Sequence, residues 1–576
     1  MARPAPGLMK EMGVGTLFSA LDVARSGLTA AQVQLDTTAH NIANVNTEGY
    51  SRQRAELLTR VPITTPYGQI GRGVQVDNIV RIRDTFLDMA YREQASGLGT
   101  AELTSEYYAL IDDIFLEPGE NGFGTRLGQF FDALSDFANN VESSSVREAL
   151  VSETQQLALS FNNVAERFNI LRTNANEEVR SIVPQINSLA ERLAEINQQI
   201  VRSEANLTNA NDLRDERDRL LDELSGLVNI TTVEQDKMVS VFIGSDALVE
   251  GNLWNELEAV RNPALDPERP DLLEVRFADS SHAVDVSDGQ LFAALNMRDV
   301  ILPAFDDRLD TLANSLIGAI NRIHSQGNGI DNLSGVISSS NDVSAPADAL
   351  VGGALPFDVQ AGTFDVVVYD ASGVPTSTTI TITASTTLND LAASLNAVGN
   401  FSAAVVGNRI ELGATGAYTF GFANDNTGVL TALGINGLFT GSDAASIALN
   451  PDIQANPDLI SSAYSLDPLA TGDNSAALDM AAVRNARILD DGSSTLSEYY
   501  EATIARLGVE SRAAEDELGV QQTFVDDFQR RRQQVSGVSL DEEISLLIQY
   551  QRAFEGSARV ITVTDRMLGA LLAMAT

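Results

Sequence analysis

Apolar residues recur at alternating spacings of four and three near both ends of this 576-residue chain. The first run comprises Leu17, Leu21, Ala24, Leu28, Ala31, Leu35, Thr38, Ile42 and Val45. The second comprises Leu540, Ile544, Leu547, Gln551, Phe554, Ala558, Ile561, Asp565, Leu568 and Leu572. Such a repeat keeps one helix face toward a partner helix, and neither run has another obvious heptad partner close to it. We therefore predict that the two ends pair as a coiled coil. The alternative is two amphipathic helices buried in separate cores.

The predicted contact surface between the two ends is called the seam. Its residues are Leu21, Leu28, Leu35, Ile42, Leu540, Ile544, Leu547, Phe554, Ile561 and Leu568. A third heptad run lies at Ile182–Ile200, where Pro184 either starts a helix or kinks one. The segment Asp212–Leu224 alternates in charge around leucines, which is typical of an exposed coiled-coil flank.

Between the ends, the pattern changes from helix to strand and back. In chain order it predicts a helix over 15–46, an extended ribbon over 51–83, helices over 84–227, strands over 230–300, a helix over 299–324, a linker over 327–350, strands over 356–440 and helices over 479–576. This order predicts an α+β multidomain chain in which helices from both ends carry an inserted β module.

The same pattern predicts four segments. They are a disordered leader over 1–14, an inner coiled-coil domain with a β-ribbon hinge over 15–83 and 536–576, a helical domain with a β subregion near 230–300 over 84–334 and 471–535, and an inserted outer β domain over 335–470. The leader prediction rests on Met9 or Met12 as an alternative start.

Composition narrows the possible partners. The chain has 79 acidic and 38 basic residues, for a net charge of −41, so it would repel nucleic acid. It has no cysteine, which excludes disulfides and thiolate chemistry and is compatible with threading unfolded through a channel. No run of 18 apolar residues occurs, so no membrane insertion is predicted. The first residues lack the apolar core of a secretory signal peptide.

Candidate chemistry is sparse. The three histidines, His40, His282 and His324, are far apart and lack metal-ligand spacing. No phosphate loop, nucleophile elbow or dinucleotide fingerprint occurs, and Asp425-Asn426 is better explained as a turn than as a cation site. We therefore expect no catalytic residue, no cofactor, no metal and no enzyme activity.

One dense motif follows the first heptad run. Its residues are Ala43, Asn44, Asn46, Thr47, Gly49, Tyr50 and Arg52. Asparagines that bond nearby backbone can end a helix, and glycine then allows a sharp turn. With the preceding helix, this segment resembles the N-terminal motif of bacterial flagellar rod, hook and hook-associated proteins. Near the other end, Ser539, Leu540, Asp541, Glu542 and Glu543 open a helix similar to the closing helix of the hook-associated members.

The resemblance implies a structural protein of the extracellular flagellum, exported by the flagellar type III apparatus. It implies polymerisation as a ring-like oligomer between hook and filament, with the hook protein and the next hook-associated junction protein as partners. It also implies an export chaperone on the C-terminal helix. The alternatives are a hook or distal-rod protein and, more remotely, an adhesin or carbohydrate-active enzyme mounted on a flagellar core.

Overall fold

A computed structural model of the chain describes residues 6–65, 68–115, 119, 122–206, 209–280, 282–467 and 470–573. In chain order the helices are α1 (Pro6–Ala43), α2 (Thr85–Phe115), α3 (Phe123–Asn139), α4 (Ser144–Ser203), α5 (Asn211–Leu227), α6 (Gln290–Asn296), α7 (Leu302–His324), α8 (Leu388–Asn396), α9 (Val429–Leu433), α10 (Pro451–Ala455), α11 (Ser475–Ala482), α12 (Leu496–Ser536) and α13 (Leu540–Ala573). None of these described helices is both long and apolar enough to cross a bilayer.

The strands lie between the long helices at the two ends. They are β1 (Gln53–Thr59), β2 (Ile63–Thr65), β3 (Gly68–Ile70), β4 (Val74–Arg81), β5 (Thr231–Gln235), β6 (Met238–Ile243), β7 (Asp246–Glu250), β8 (Leu253–Trp254), β9 (Leu257–Arg261), β10 (Leu273–Phe277), β11 (Val336–Ser338), β12 (Gly362–Tyr369), β13 (Pro375–Ile382), β14 (Phe401–Val406), β15 (Arg409–Ala414), β16 (Thr419–Ala423), β17 (Phe439–Thr440) and β18 (Ala448–Leu449). The predicted α+β multidomain class is confirmed.

Contacts group the chain into two compact units. The first unit is Met1–Thr104, Asn176–Leu295 and Glu515–Thr576, and the second is Ser105–Ala175 and Asn296–Ala514. These boundaries fall inside α2, α4, α6 and α12. They differ from the boundaries of the four predicted segments, which were drawn where the residue pattern changes. Within a continuous helix the apolar pattern stays the same, even where the helix passes from one packing partner to another.

In the first unit, helices pack on small antiparallel sheets. The strands β5, β6, β7 and β8 form one sheet in that order, and β9 pairs with β10. Alternate residues of β6 are buried, and they meet the buried face of α4 in one core. That face carries the third heptad run, which is at most 8% exposed from Ile182 to Ile200 at its heptad positions. Pro184 lies inside the continuous α4 rather than at its start.

In the second unit, two three-stranded antiparallel sheets have the strand orders β13-β12-β16 and β11-β15-β14. Their common core includes Phe364, Val366, Ile410 and Phe420, each at most 1% exposed. The helix α8 begins with a capping box, in which the Thr387 hydroxyl accepts from the Asp390 backbone N–H and the Asp390 carboxylate accepts from the Thr387 N–H.

Two of the predicted segments contain residues that the structure places differently. Residues 6–14, assigned to a disordered leader, are helical because α1 begins at Pro6, and proline suits the first helical position, where its missing N–H is not needed. Residues 1–5 of that leader lie outside the described residues. In the predicted β insert, Phe439 bonds to Asn321 of α7 through both its N–H and its carbonyl, so this part packs on the helices.

Candidate functional site at the paired chain ends

The two terminal helices pack against each other, as the heptad pattern predicts. Asn41 of α1 bonds to Glu543 of α13, and Gly27 lies beside Ser557, so the pairing is antiparallel. A Cβ at Gly27 would lie 3.0 Å from the Ser557 Oγ, and Ala24 and Ala31 are buried at 6% and 2% exposure. Small residues on α1 therefore let the two backbones approach closely.

The seam residues divide between contact and exposure. Eight of the ten are half-buried. They are Leu21, Leu28, Leu35 and Ile42 on α1, and Leu547, Phe554, Ile561 and Leu568 on α13. The other two, Leu540 and Ile544, are 45% and 49% exposed. The most buried positions of α13 are instead Glu543 and Thr564, so the contact face is turned slightly from the predicted seam. The assembly role of all ten residues stays a prediction.

The motif after α1 forms two successive turns. The Asn44 side-chain amide donates to the His40 backbone carbonyl at 3.0 Å. The Thr47 hydroxyl donates to the side-chain oxygen of Asn44, Oδ1, at 3.2 Å. Gly49 then has φ +78°, which a side chain would strain. These bonds end the helix at Ala43 and direct the chain into β1, whereas Asn46 is exposed.

Asn41 is the most fully bonded polar side chain at this turn, with only 1% exposure. Its amide donates to the Gln53 carbonyl at 2.9 Å and to Glu543 Oε2 at 3.1 Å. Its side-chain oxygen accepts from the Gln53 N–H at 3.0 Å and from the Tyr50 hydroxyl at 2.8 Å. One amide thus satisfies two donors and two acceptors and joins α1, β1 and α13.

Arg52 connects the N-terminal motif directly to the C-terminal one. Its Nε lies 2.7 Å from Glu543 Oε1 and its Nη1 lies 2.8 Å from Glu542 Oε2. The Glu543 side chain is only 1% exposed, so this ion pair is largely screened from water. The backbone N–H of Arg52 also donates to the Ser536 carbonyl at 2.8 Å, at the end of α12. The two family motifs, about 490 residues apart in sequence, therefore meet in one structure.

Beside this junction, aspartates on α5 face arginines of the β-ribbon. Arg81 Nη1 lies 2.7 Å from Asp215 Oδ1 and 2.8 Å from Asp218 Oδ2. Arg83 Nη1 lies 3.0 Å from the same Asp218 oxygen. Asp215 also accepts from the hydroxyl and the backbone N–H of Ser51, at 2.6 and 2.9 Å. Every buried carboxylate oxygen here faces a donor.

The cluster continues to α2 and α12 through Asp222. Arg92 Nε and Arg532 Nη2 each lie 2.7 Å from an oxygen of Asp222. Arg532 Nε also lies 2.9 Å from Asp88 Oδ1. Breaking a buried ion pair by removing one partner costs about 3–5 kcal/mol, because a charge is left without compensation. Loss of one partner would therefore destabilise the packing of α2, α5 and α12.

Burial and neighbouring charges shift the pKa values of Asp218 and Tyr50 in this cluster. Burial opposes ionisation of Asp218, but the positive charges of Arg83 and Arg81 outweigh it and hold the pKa of Asp218 well below its usual range. Burial, followed by the nearby carboxylates, raises the pKa of Tyr50 well above its usual range. Tyr50 therefore remains a hydrogen-bond donor to Asn41 at physiological pH.

Sequence reasoning missed part of this cluster. The alternating charges of α5 were interpreted as an exposed flank, and this was wrong, because Asp215, Arg217 and Asp218 are 6%, 2% and 8% exposed. Their partners come from distant elements, which the local pattern does not contain. Asn41 was also not selected as a site residue. The available signal was an asparagine directly beside the heptad position Ile42, at the end of the helical repeat.

The histidines do not form a common site. His40 is exposed, with Nε2 3.5 Å from Asp212 Oδ1, and His282 is exposed as well. His324 is fully buried, where its Nδ1 donates to the Asn436 carbonyl at 2.8 Å and its Nε2 accepts from the Ser461 N–H at 3.1 Å. Within the described ranges, no group of three or more histidine, aspartate or glutamate side chains could hold a metal ion.

Three family models match this chain. "Flagellar hook-associated protein FlgK helical domain" matches residues 108–336, "Flagellar basal body rod FlgEFG protein C-terminal" matches 531–574, and "Flagella basal body rod protein" matches 21–50. The two rod models cover parts of the terminal helices whose motifs meet at Arg52 and Glu543. The fold and these motifs define a flagellar structural protein.

Curated relatives match almost the whole chain. The flagellar hook-associated protein 1 of Bacillus subtilis (strain 168) is 26% identical over 559 residues, with 96% of this chain and 97% of that protein covered. That of Salmonella typhimurium (strain LT2) is 27% identical over 583 residues, with 96% and 100% covered. Over almost its whole length, the chain is therefore similar to flagellar hook-associated protein 1. A solved structure of the hook junction protein FlgK from Burkholderia pseudomallei is 17% identical, with a TM-score of 0.49 over 77% of this chain and 100% of that one.

Proposed function

We propose that this chain is a structural subunit that polymerises between hook and filament and is needed for filament attachment. The supporting observation is that both ends of the chain form one helix pair, and that α13 exposes several large apolar side chains on the side away from α1. Similarity to flagellar hook-associated protein 1 over almost the full length favours the same role.

The helix α13 has two distinct sides. Its half-buried side, including Leu547 and Phe554, contacts α1. Its other side exposes apolar side chains that a lone chain leaves in water: Ile544, Ile548, Val560, Val563 and Met567 are between 47% and 54% exposed. Burying apolar area is worth about 25 cal/mol per Å², so neighbouring subunits gain free energy by covering this side. We assign this side of α13 to contacts between subunits in a ring-like oligomer.

The proposed partners follow from the position in the flagellum. The hook protein contacts one end of the ring and the next hook-associated junction protein contacts the other. Before export the exposed side of α13 needs cover, and an amphipathic helix of this kind fits the groove of a chaperone. Secretion through the flagellar type III apparatus then delivers the chain to the extracellular flagellum. The relatives are structural proteins, and we propose no enzyme activity, cofactor or membrane insertion for this chain.

A hook or distal-rod protein is the second candidate, because the rod models match both ends. The helices α3 and α4 argue against it. They lie within residues 108–336, which match the helical domain of the hook-associated proteins rather than a rod domain.

Deletion of the gene, followed by electron microscopy of hooks and filaments, tests the proposal. We expect complete hooks without filaments, and restoration by the wild-type gene. Complementation with Ile548→Asp should fail, whereas the conservative Ile548→Leu should restore filaments. Filaments attached normally in the deletion strain would contradict the junction role, and missing hooks would favour the rod or hook alternative.

A further inference from the structure

The strand β13 is the free edge of its sheet. Its sheet has the order β13-β12-β16, with Thr376 opposite Val368 and Ile380 opposite Phe364. The Asp370 N–H donates to the Val374 carbonyl at 3.1 Å, so even-numbered residues of β13 bond to β12. The odd-numbered ones therefore direct their N–H and C=O groups outward. They are Ser377, Thr379 and Thr381, whose side chains are all exposed.

This edge has little of the usual protection. Natural edge strands carry charges, bulges or prolines that prevent pairing with another chain. Residues 371–389 contain no Asp, Glu, Lys, Arg or His, although acidic residues are abundant elsewhere. Pro375 is itself an outward-facing position, but it removes the N–H of the first residue only, and Ser377, Thr379 and Thr381 keep theirs. Val374, just before the strand, is 58% exposed.

A second free edge lies in the same unit, at β11. The Ser339 N–H donates to the Ile410 carbonyl at 2.9 Å, so by alternation Val336 and Ser338 direct their backbone groups away from β15. Val336 is 70% exposed. Residues 332–341 around this strand also contain no charged residue.

The two edges lie on opposite sides of the β module. The strand β13 is one edge of its sheet, whereas Leu333, just before β11, pairs with Phe420 of β16 at the other edge. A contact between opposite edges of two copies is head-to-tail, which generates a ring when the rotation closes.

Charge limits where two copies of this chain can meet. Two chains of net charge −41 repel each other over most of their surfaces. Their backbones can approach closely along segments without charged residues, and β13 and β11 are such segments. The carboxylate beside β13, Asp365, accepts from the Thr379 and Asn424 side chains. We propose that β13 of one copy pairs with β11 of the next, which adds a lateral contact to the ring. This inference rests on the proposed function, because it needs a polymer of this chain.

Engineered cysteines test the contact, because the natural chain has none. The double variant Thr379→Cys, Val336→Cys should form, on mild oxidation of assembled flagella, a ladder of covalent oligomers. The same variant oxidised as unassembled full-length chain should remain monomeric, and either single variant should remain monomeric in flagella. A dimer from Thr379→Cys alone would overturn the head-to-tail pairing in favour of pairing between two β13 strands.

The outcomes separate this inference from the proposed function. If the double variant is incorporated and attaches filaments but forms no covalent oligomers, the edge contact is refuted and the junction role stands. If the wild-type chain is absent from the hook–filament boundary, the proposed function itself fails. As a second variant, Ser377→Asp places a negative charge on the outward edge without removing a bond to β12. It should lower the yield of covalent oligomers at least tenfold, and an unchanged yield would also refute the contact.

Discussion

Replacing Asn41 with alanine should release the C-terminal helix from the N-terminal motif. The substitution removes four hydrogen bonds, to the Gln53 N–H and carbonyl, to Glu543 and to the Tyr50 hydroxyl. A buried hydrogen bond contributes about 1 kcal/mol, and leaving its partners unpaired adds to the loss. Arg52 still pairs with Glu543 in this variant. We therefore expect the free energy of local opening to fall by about 3 kcal/mol, which is less than the summed cost of four lost hydrogen bonds and their unpaired partners.

Amide hydrogen exchange measured by mass spectrometry reports this opening directly. A change of about 3 kcal/mol corresponds to a rise of roughly a hundredfold in the exchange rate of peptides that cover Gln53 and Glu543. The control is Asn46→Ala, in the same motif but exposed, which should leave those rates unchanged. Equal exchange in Asn41→Ala and the wild type would refute the assignment of Asn41 as the link between the two ends.

Two further predictions concern the interior of each unit. Gly99→Ala should lower the unfolding free energy of the first unit by roughly 1–3 kcal/mol, the cost of overpacking, because the new Cβ would lie 2.2 Å from the Gly226 carbonyl oxygen. The control is Gly519→Ala on α12, whose new Cβ meets nothing within 4 Å and should not destabilise the chain. Urea unfolding, followed by the fluorescence of the single tryptophan, measures both variants. Burial, above all, lowers the pKa of His324 to about 4, so the unfolded chain binds more protons between pH 6.5 and 4. Stability should therefore be fully present above pH 6.5 and fall by roughly 2 kcal/mol by pH 5, and in calorimetry His324→Gln should lose this part of the pH dependence.

Much of the architecture could be predicted from residue patterns alone. The heptads predicted that the two ends pair, and the turn chemistry of Asn44 and Gly49 predicted where α1 ends. Both are local properties, since a helix face and a helix terminus depend on residues within a few positions of each other. The strand regions followed in the same way from period-two alternation, as in β6 and β13.

The ion-pair cluster could not be predicted, because its members come from elements far apart in sequence. Asp218 sits in a segment whose alternating charges are equally suitable for solvent, and only the approach of Arg81, Arg83 and Arg92 makes it a buried partner. The unit boundaries have the same origin, since they fall within continuous helices.

Residue patterns along the chain were enough to predict most of its helices and strands, the pairing of its two ends, and its resemblance to the flagellar hook-associated proteins. These properties depend on short-range spacing of apolar, turn-forming and motif residues. The tertiary structure decided which polar groups are buried, that Asn41 and Arg52 connect the two motifs, and which strand edges remain free. Each of these depends on contacts between distant residues, and burial turns an ordinary surface charge or amide into a group that must find a partner.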